Sequence, residues 1–284
     1  MSEQPSFRSC CTVTPLASRD RKPSVCAEQT PRQNHLLAAL PVADYERLLP
    51  HLDPFPLPQG WTIHGAGERQ MYLYFLTSGI VSRGCSTQNG ALSECAVTGR
   101  EGAVGVSLFL GGESSPCSAV VVSAGYAYRM RADLLKEEFE NTRPFRKLLL
   151  RYALVLMEHA AQTAACNRYH SVDQQLCRVI LGCLDRSPSN ELTMTQEVIA
   201  NMLGVRREGV TEAAGLLQKA GLIQYRRGHI TVLDRSNLET LACECYAVVK
   251  KEFERLLPDQ TAIDIPYKFP TARSLARQTE IMAA

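Results

Sequence analysis

The sequence is short of most features that would name a chemistry outright. Nothing in its 284 residues approaches the ~18 uninterrupted apolar residues of a membrane-crossing helix. The opening MSEQPSFRSCCTVTPLASRDRKPSVCAEQT alternates charge, Ser, Pro and Cys without the apolar segment of a secretory signal. Both absences point to a cytoplasmic protein with no membrane partner. Net charge is lacking too: 31 Lys and Arg against 29 Asp and Glu give a formal +2. A nucleic-acid partner would therefore have to be held by locally concentrated charge. No G-x-S-x-G, G-x-x-x-x-G-K-[ST] or H-E-x-x-H occurs, which argues against an enzyme. The clustered glycines 99, 102, 105, 111 and 112 fall among strands and read as turns rather than as a phosphate cradle.

Cysteine is plentiful, but no C-x2-C pair exists among the 11. Without a signal peptide they read as thiols of a reducing compartment, mostly buried, with Cys117 or the Cys10-Cys11 pair as the candidates for a redox sensor. Cys243 and Cys245, two apart on a predicted helix, point in different directions and make a poor chelate. No metal site and no cofactor is expected.

Residues 1–32 and 258–284 lack periodic apolar pattern and read as flexible tails. After the short helical stretch HLLAALPVADYERLLPHL, the runs YLYFL, GIVS, CAVT, SLFL and AVVVS alternate with Gly, Pro, Asn and Ser, predicting a β-barrel or roll within residues 33–143. In the hairpin SRGCSTQNGALSECAV, a two-residue turn at Asn89-Gly90 would set Cys85 opposite Glu94 and Cys95 opposite Gly84. The two thiols would then lie on opposite faces and not bridge to each other. Residues 144–169 predict one long helix, with Leu149, Tyr152, Leu156, His159, Thr163 and Cys166 as a seam for a partner helix. The alternative is a helix packed only on its own domain. Glu158-His159 has no second histidine nearby, and His159 reads as a packing residue.

Residues 170–257 carry the most specific pattern, TQEVIANMLGVRREGVTEAAGLL. Thr195 is a candidate N-cap. Val198, Ile199, Met202 and Leu203 repeat at helical spacing, Ala200 lets a second helix cross closely, and Gly204 suits the left-handed residue that ends the first helix. Val210, Ala214 and Leu217 form the buried stripe of the second helix, leaving Arg206, Arg207, Glu208, Thr211 and Glu212 outside in its first turns. That end of the second helix enters the major groove in helix-turn-helix readers. Arginine there can bond guanine bidentately and glutamate can accept from cytosine. GLIQYRRGHITVLD then predicts strand, turn and strand, a basic wing with Arg226, Arg227 and His229 suited to phosphates. Between Gly204 and Ile230 stand five Lys or Arg against two Glu. The rival of a different class is a small-molecule or protein-binding module that uses this hairpin for protein contacts.

These residues resemble the Crp/Fnr (cyclic-AMP receptor protein and fumarate-nitrate regulator) family of bacterial transcription factors over roughly residues 35–257. TMTQEVIANMLGVRREGV and ITVLDR carry the resemblance most specifically; QGWTIHGAGE, YFLTSGIVS and GREGAVGVSLFLGG are similar to the family's cyclic-nucleotide-type β-roll. It implies an α+β fold with an N-terminal sensor roll, a long dimerisation helix and a C-terminal winged helix-turn-helix. It also implies a homodimer on double-stranded DNA with half-sites one helical turn apart, contact with RNA polymerase, and switching by a signal sensed in the roll. Arg207 and Glu208 match base-contacting positions, and Thr195, with Gln196 beside it, matches a phosphate contact. Glu212 stands where well-known members place a second base-reading arginine.

In the family's cyclic-nucleotide binders a Gly-Glu pair holds the ribose and an arginine before Ser-Ala or Thr-Ala holds the phosphate. Here the matching stretches are Gly105-Val106-Ser107 and Cys117-Ser118-Ala119, so both charged groups are gone. No Lys, Arg or His occurs from Glu101 to Tyr128, and an anion buried there would lack a nearby cation in sequence. The resemblance therefore implies a roll that has lost cyclic-nucleotide binding. Val106, Leu108, Phe109 and Val120–Val122 either line a pocket for a neutral effector or fill the core.

Overall fold

The computed structural model describes residues 30–88, 92–187 and 190–257. Most of the two predicted tails and the Asn89-Gly90 turn lie outside these residues. The N-terminal tail assigned to 1–32 ends early, because Pro31–Gln33 form a 3-10 turn with Pro31 buried.

Helices α1 (His35–Ala38) and α2 (Val42–Leu48) precede eight strands: β1 (Asp53–Leu57), β2 (Thr62–His64), β3 (Tyr72–Leu76), β4 (Ile80–Ser86), β5 (Leu92–Thr98), β6 (Ala103–Val104), β7 (Ser118–Ser123) and β8 (Gly125–Arg131). They form two antiparallel sheets, ordered β1-β8-β3-β6 and β2-β7-β4-β5. Strand β3 shows why its sequence is continuously apolar. Period-two alternation sends Tyr74 and Leu76 into the roll with Val81, Ala119 and Val121, and Leu73 and Phe75 outward beneath the helices. The run SLFL is not a strand: Gly105, at φ 115°, turns the chain into a 3-10 turn over Val106–Leu108. A Cβ at Gly105 would come within 2.7 Å of the Tyr72 carbonyl oxygen, so only glycine fits there.

The hairpin differs from the sequence expectation. Its register sets Cys85 opposite Ser93 and Gly84 opposite Glu94, with the last pair Ser86–Leu92. The connection is thus longer than two residues, and Cys95 sits in a bulge between the Gly84–Glu94 and Arg83–Ala96 pairs. The bulge removes the opposite-face relation, bringing the Cys85 and Cys95 sulfurs within 3.7 Å. Cys85 nevertheless pairs elsewhere. Strand β7 runs beside β4 with Gly84 opposite Ser118, which sets Cys117 next to Cys85, and these two form a disulfide.

Helix α3 (Ala132–Asn141) leads into α4 (Arg143–Tyr169), 27 residues long and starting one residue before the predicted helix. The predicted seam is not free to meet a partner. Leu149, Tyr152, Leu156, His159, Thr163 and Cys166 are each at most 4% exposed, because the roll and α9 (Cys245–Leu256) cover them. The Tyr152 hydroxyl donates to the Ala103 carbonyl at 3.0 Å, and Phe253 of α9 meets His159 edge to face. A second stripe, Leu150, Leu154, Met157, Ala161 and Ala164, stays exposed at spacings of four and three.

Beyond α4 come α5 (Val172–Asp185), β9 (Glu191–Thr193), α6 (Gln196–Leu203), α7 (Arg207–Lys219), β10 (Ile223–Arg226), β11 (His229–Val232), α8 (Arg235–Leu241) and α9. The core of this unit, with Leu176, Ile180, Ile199, Leu203, Val210 and Ile230, is continuous with Ile80, Val97 and Val122 of the roll. The two halves of the chain therefore share buried surface along β4, β5 and β7.

Candidate nucleic-acid interface

The turn between α6 and α7 is built as local chemistry dictates. The Thr195 hydroxyl accepts from the Val198 amide at 3.2 Å, capping α6. Gly204, at φ 65°, closes it in the left-handed conformation. Ile199, Ala200, Met202 and Leu203 are buried, as are Val210, Ala213, Ala214 and Leu217 on α7, while Val198 packs partly buried against the same core. Burying these stripes leaves Arg206, Arg207, Glu208, Thr211 and Glu212 exposed on one end of α7, with Thr195 exposed and Gln196 half-buried beside them. Thr211 is less free than its exposure suggests. Its hydroxyl lies 2.9 Å from Gln196 Oε1 and 3.0 Å from the Arg207 carbonyl oxygen, which bridges the two helices.

The wing is a hairpin whose strands pair Arg226 with His229. Its two turn residues, Arg227 at φ 51° and Gly228 at φ 81°, have the positive φ values of a type I′ turn. Arg226, Arg227 and His229 are exposed around it. Strand β9, which the sequence pattern did not mark, adds a third strand in the order β10-β11-β9. It joins the wing to the helices: the Met194 amide donates to the Gly228 carbonyl at 2.8 Å, and the Tyr225 hydroxyl donates to the Met194 carbonyl at 2.8 Å. Burial pushes the Tyr225 phenol up to about 12, so it remains a neutral donor at physiological pH. Sequence reading missed Tyr225 because an aromatic in a strand is ordinarily core. Wing tip, α6 start and α7 start are thus one tied unit with Arg206, Arg207, Arg226, Arg227 and His229 exposed.

The predicted effector residues are placed differently. Gly105, Val106 and Ser107 lie at the 3-10 turn, where Ser107 donates to Gln70 Oε1 at 3.1 Å. Val106, Leu108 and Phe109 fill the core beneath α3 and α4, and Val121 and Val122 fill two other cores. Cys117 is held in the disulfide and Ser118 donates to the Gly84 carbonyl at 3.4 Å. The fold also supplies a cation that the local sequence lacks. Arg83 of β4 stands opposite Ala119 with a buried Nε that has no partner among the described residues.

A cavity of about 550 Å³ lies elsewhere, between the roll, α4, α5 and α9, lined in part by Glu94, His159, Arg178, Arg186, Met202 and Phe253. None of the residues predicted to form an effector pocket lines it. Burial, partly offset by a 2.5 Å hydrogen bond from Ser82, pushes the Glu94 carboxyl up to about 7. Burial holds the His159 imidazole well below its ordinary range. Arg186 pairs with Glu101 at 2.7 Å, and Arg178 Nε has no partner among the described residues. The six lining residues named come from five separate elements, β5, α4, α5 with its C-cap, α6 and α9, so no local motif marks them.

Comparison with known families decides what this architecture is. Residues 174–241 match the Crp-like helix-turn-helix domain and residues 54–142 match the cyclic nucleotide-binding domain. Together the matches span more than half of the chain. The chain belongs to the Crp/Fnr family. Its fold, a cyclic-nucleotide-binding-type roll, a central helix and a C-terminal helix-turn-helix, is shared with solved Crp/Fnr structures. A chain from Eubacterium rectale assigned to the Crp/Fnr transcriptional regulators is 21% identical over 72% of this chain and 96% of its own, with a TM-score of 0.58. FixK2 from Bradyrhizobium japonicum is 17% identical over 68% and 98%, also at 0.58. The c-di-GMP-responsive global regulator CLP of Xanthomonas campestris is 17% identical over 68% and 99%, at 0.56. A search of curated protein sequences finds no match. This Crp/Fnr chain has no helix among its described residues long and apolar enough to cross a membrane.

Proposed function

We propose that this Crp/Fnr protein is a homodimeric, sequence-specific transcription regulator that reads DNA with the first turns of α7. The observation that carries the reading is the convergence of Arg206, Arg207, Glu208 and Glu212 with the wing residues Arg226, Arg227 and His229, all exposed on a unit whose helices bury their apolar stripes in one core. Arg207 and Glu208 face base edges, Arg206, Thr195 and Gln196 lie beside the phosphates at the helix ends, and the wing follows the backbone. Glu212, in place of arginine, changes the preferred bases rather than the mode of docking. The protein works in the cytoplasm, with RNA polymerase as its partner at promoters.

Dimerisation runs through the exposed stripe Leu150, Leu154, Met157, Ala161 and Ala164, whose four-and-three spacing is that of a coiled-coil seam. Its small residues toward the DNA-reading end let the two helices approach closely.

The roll does not hold a cyclic nucleotide in this reading. Valine stands at 106 in place of the ribose-binding carboxylate, and Cys117, in place of the phosphate-binding arginine, is tied to Cys85. Arg83 is a cation beside that position in register, on a different strand. Calorimetry with cyclic AMP and cyclic GMP should give no heat of binding; saturable binding at micromolar concentrations would return the roll to the nucleotide-binding class.

Retention on DNA against salt tests the central assignment. Phosphate contacts release counterions, so affinity should fall by orders of magnitude between ~50 and ~200 mM salt. Retention that is absent, or indifferent to salt, would favour a protein-binding role for the hairpin.

A further inference from the structure

Four metal-ligating side chains converge at the junction between α4 and the DNA-reading unit, outside the interface described above. They arrive as two pairs. Cys166 and His170 are one turn apart at the end of α4, where i and i+4 share a face. Cys243 and Cys245 lie where α8 gives way to α9. The expectation that these two sit on one helix and diverge is wrong: Cys243 is in the connection and Cys245 is the first residue of α9. The connection lets both thiols turn to the same point.

Their geometry fits one ion. Cys166 and Cys243 sulfurs are 3.5 Å apart, Cys245 Sγ is 3.4 Å from His170 Nδ1, and all four ligand atoms lie within 4.8 Å of one another. A tetrahedral zinc with sulfur ligands at ~2.3 Å and nitrogen at ~2.0 Å has ligand–ligand edges of roughly 3.5–3.8 Å. A multi-iron cluster needs its thiolates farther apart than these contacts allow.

The surroundings point the same way. The far ring nitrogen of His170, Nε2, is 3.2 Å from Glu244 Oε1, while Nδ1 faces the thiols, 3.4 Å from Cys245 Sγ. A carboxylate on the second nitrogen is the arrangement that orients metal-binding histidines. The Gln162 side chain donates to Cys245 Sγ at 3.0 Å, a contact that favours a thiolate. Cys166, Cys243 and Cys245 form their own buried cluster, apart from the three hydrophobic cores. A ligand set of three cysteine sulfurs and one histidine nitrogen within this radius selects zinc among the common divalent ions.

We propose that Cys166, His170, Cys243 and Cys245 bind one structural zinc ion. Loading releases the thiol protons to solvent and involves no change of oxidation state. The complex carries a net charge of one negative, with Arg178 within electrostatic range of Cys166. Because Cys166 and Cys243 are 77 residues apart, the ion closes a loop that contains α5, the helix-turn-helix and the wing. It would fasten the far end of that loop to α4 just before the His170-Ser171 connection, so the orientation of the reading unit on the long helix depends on zinc.

Metal analysis of the full chain, purified without chelator, tests this. One zinc per chain is expected, lost in Cys243→Ser and Cys245→Ser and kept in Cys177→Ser and Cys183→Ser. Cobalt loaded in place of zinc should show the intense visible bands of a tetrahedral, thiolate-rich site. Glu244→Gln, at an exposed position, should fold normally and weaken zinc by about 10- to 100-fold in competition with a chelator. Octahedral cobalt spectra, sub-stoichiometric zinc, or zinc that survives the Cys243→Ser/Cys245→Ser double change would overturn the proposal. So would a Cys166–Cys243 disulfide in protein purified under reductant, or Glu244→Gln with wild-type affinity.

Discussion

Replacing Met157 with glutamate tests which face of α4 meets the second copy in the proposed homodimer. Met157 is 66% exposed in the single chain, and its neighbours along the stripe, Leu150 and Leu154, are 45% and 39% exposed. Full burial of such a side chain is worth ~1.5–3 kcal/mol, so the two-thirds left over contributes ~1–2 kcal/mol per copy and ~2–4 kcal/mol to a dimer. Met157→Glu removes that contribution and sets two carboxylates near the two-fold axis, so ~2–4 kcal/mol is a lower bound. At 1.4 kcal/mol per decade this raises the dimer dissociation constant at least ~30- to 1000-fold. Sedimentation equilibrium reads the constant directly, and circular dichroism checks that the helix persists. Leu156→Ala, on the covered face, should instead cost ~2–5 kcal/mol of stability and leave the dissociation constant unchanged. A Met157→Glu dimer as tight as wild type, or a dimer broken by Leu156→Ala in folded protein, would refute this choice of face.

Three other perturbations probe the framework. Glu94 is held near pH 7 in the fold against about 4.5 unfolded, so the folded protein binds its proton more tightly. Its contribution is full below about 4.5 and lost as pH rises to about 7, a change of ~3 kcal/mol. His159, lowered by burial, works in the opposite direction below its ordinary range. Urea titrations should therefore show wild type losing about that much stability relative to Glu94→Gln as pH rises across the window; a pH-independent difference would remove the assignment. Gly204→Ala forces a side chain into the left-handed region and should cost ~1 kcal/mol, with Gly204→Asn costing less. Equal costs, or none, would mean that the helix ends another way. Reducing the Cys85–Cys117 disulfide, which closes a separation of 32 residues, should lower stability by ~2–4 kcal/mol, and Cys85→Ser should make the protein insensitive to reductant.

The parts of the fold that could be read directly from sequence are those fixed by local chemistry. The Thr195 cap, the Gly204 stop, the buried stripe of α7 and the Arg227-Gly228 turn each depend on a few consecutive residues, and each was legible. Long-range pairing was not. The disulfide depends on β7 lying beside β4, and the Cys95 bulge depends on a register that the hairpin sequence does not fix. Periodicity exposed the amphipathic character of α4 but could not choose between two stripes, because α9, which covers one of them, comes about eighty residues later in the chain. The Cys3His cluster was invisible for the same reason: its pairs are short, unlike common zinc spacings, and only the return of the chain after α8 brings them together. At the proposed DNA interface the exposure of the arginines and glutamates was legible, whereas Tyr225 and β9, which tie wing to helix, needed the fold.

The most direct test of the account is to select genomic fragments with purified protein and with its Arg207→Ala variant, at fixed salt and in parallel. Wild type should enrich fragments sharing two symmetry-related half-sites one helical turn apart. Arg207→Ala should lose ~1–3 kcal/mol on those fragments and little on random DNA. No enriched sequence, or an equal loss on cognate and random DNA, would contradict the claim that α7 reads the bases.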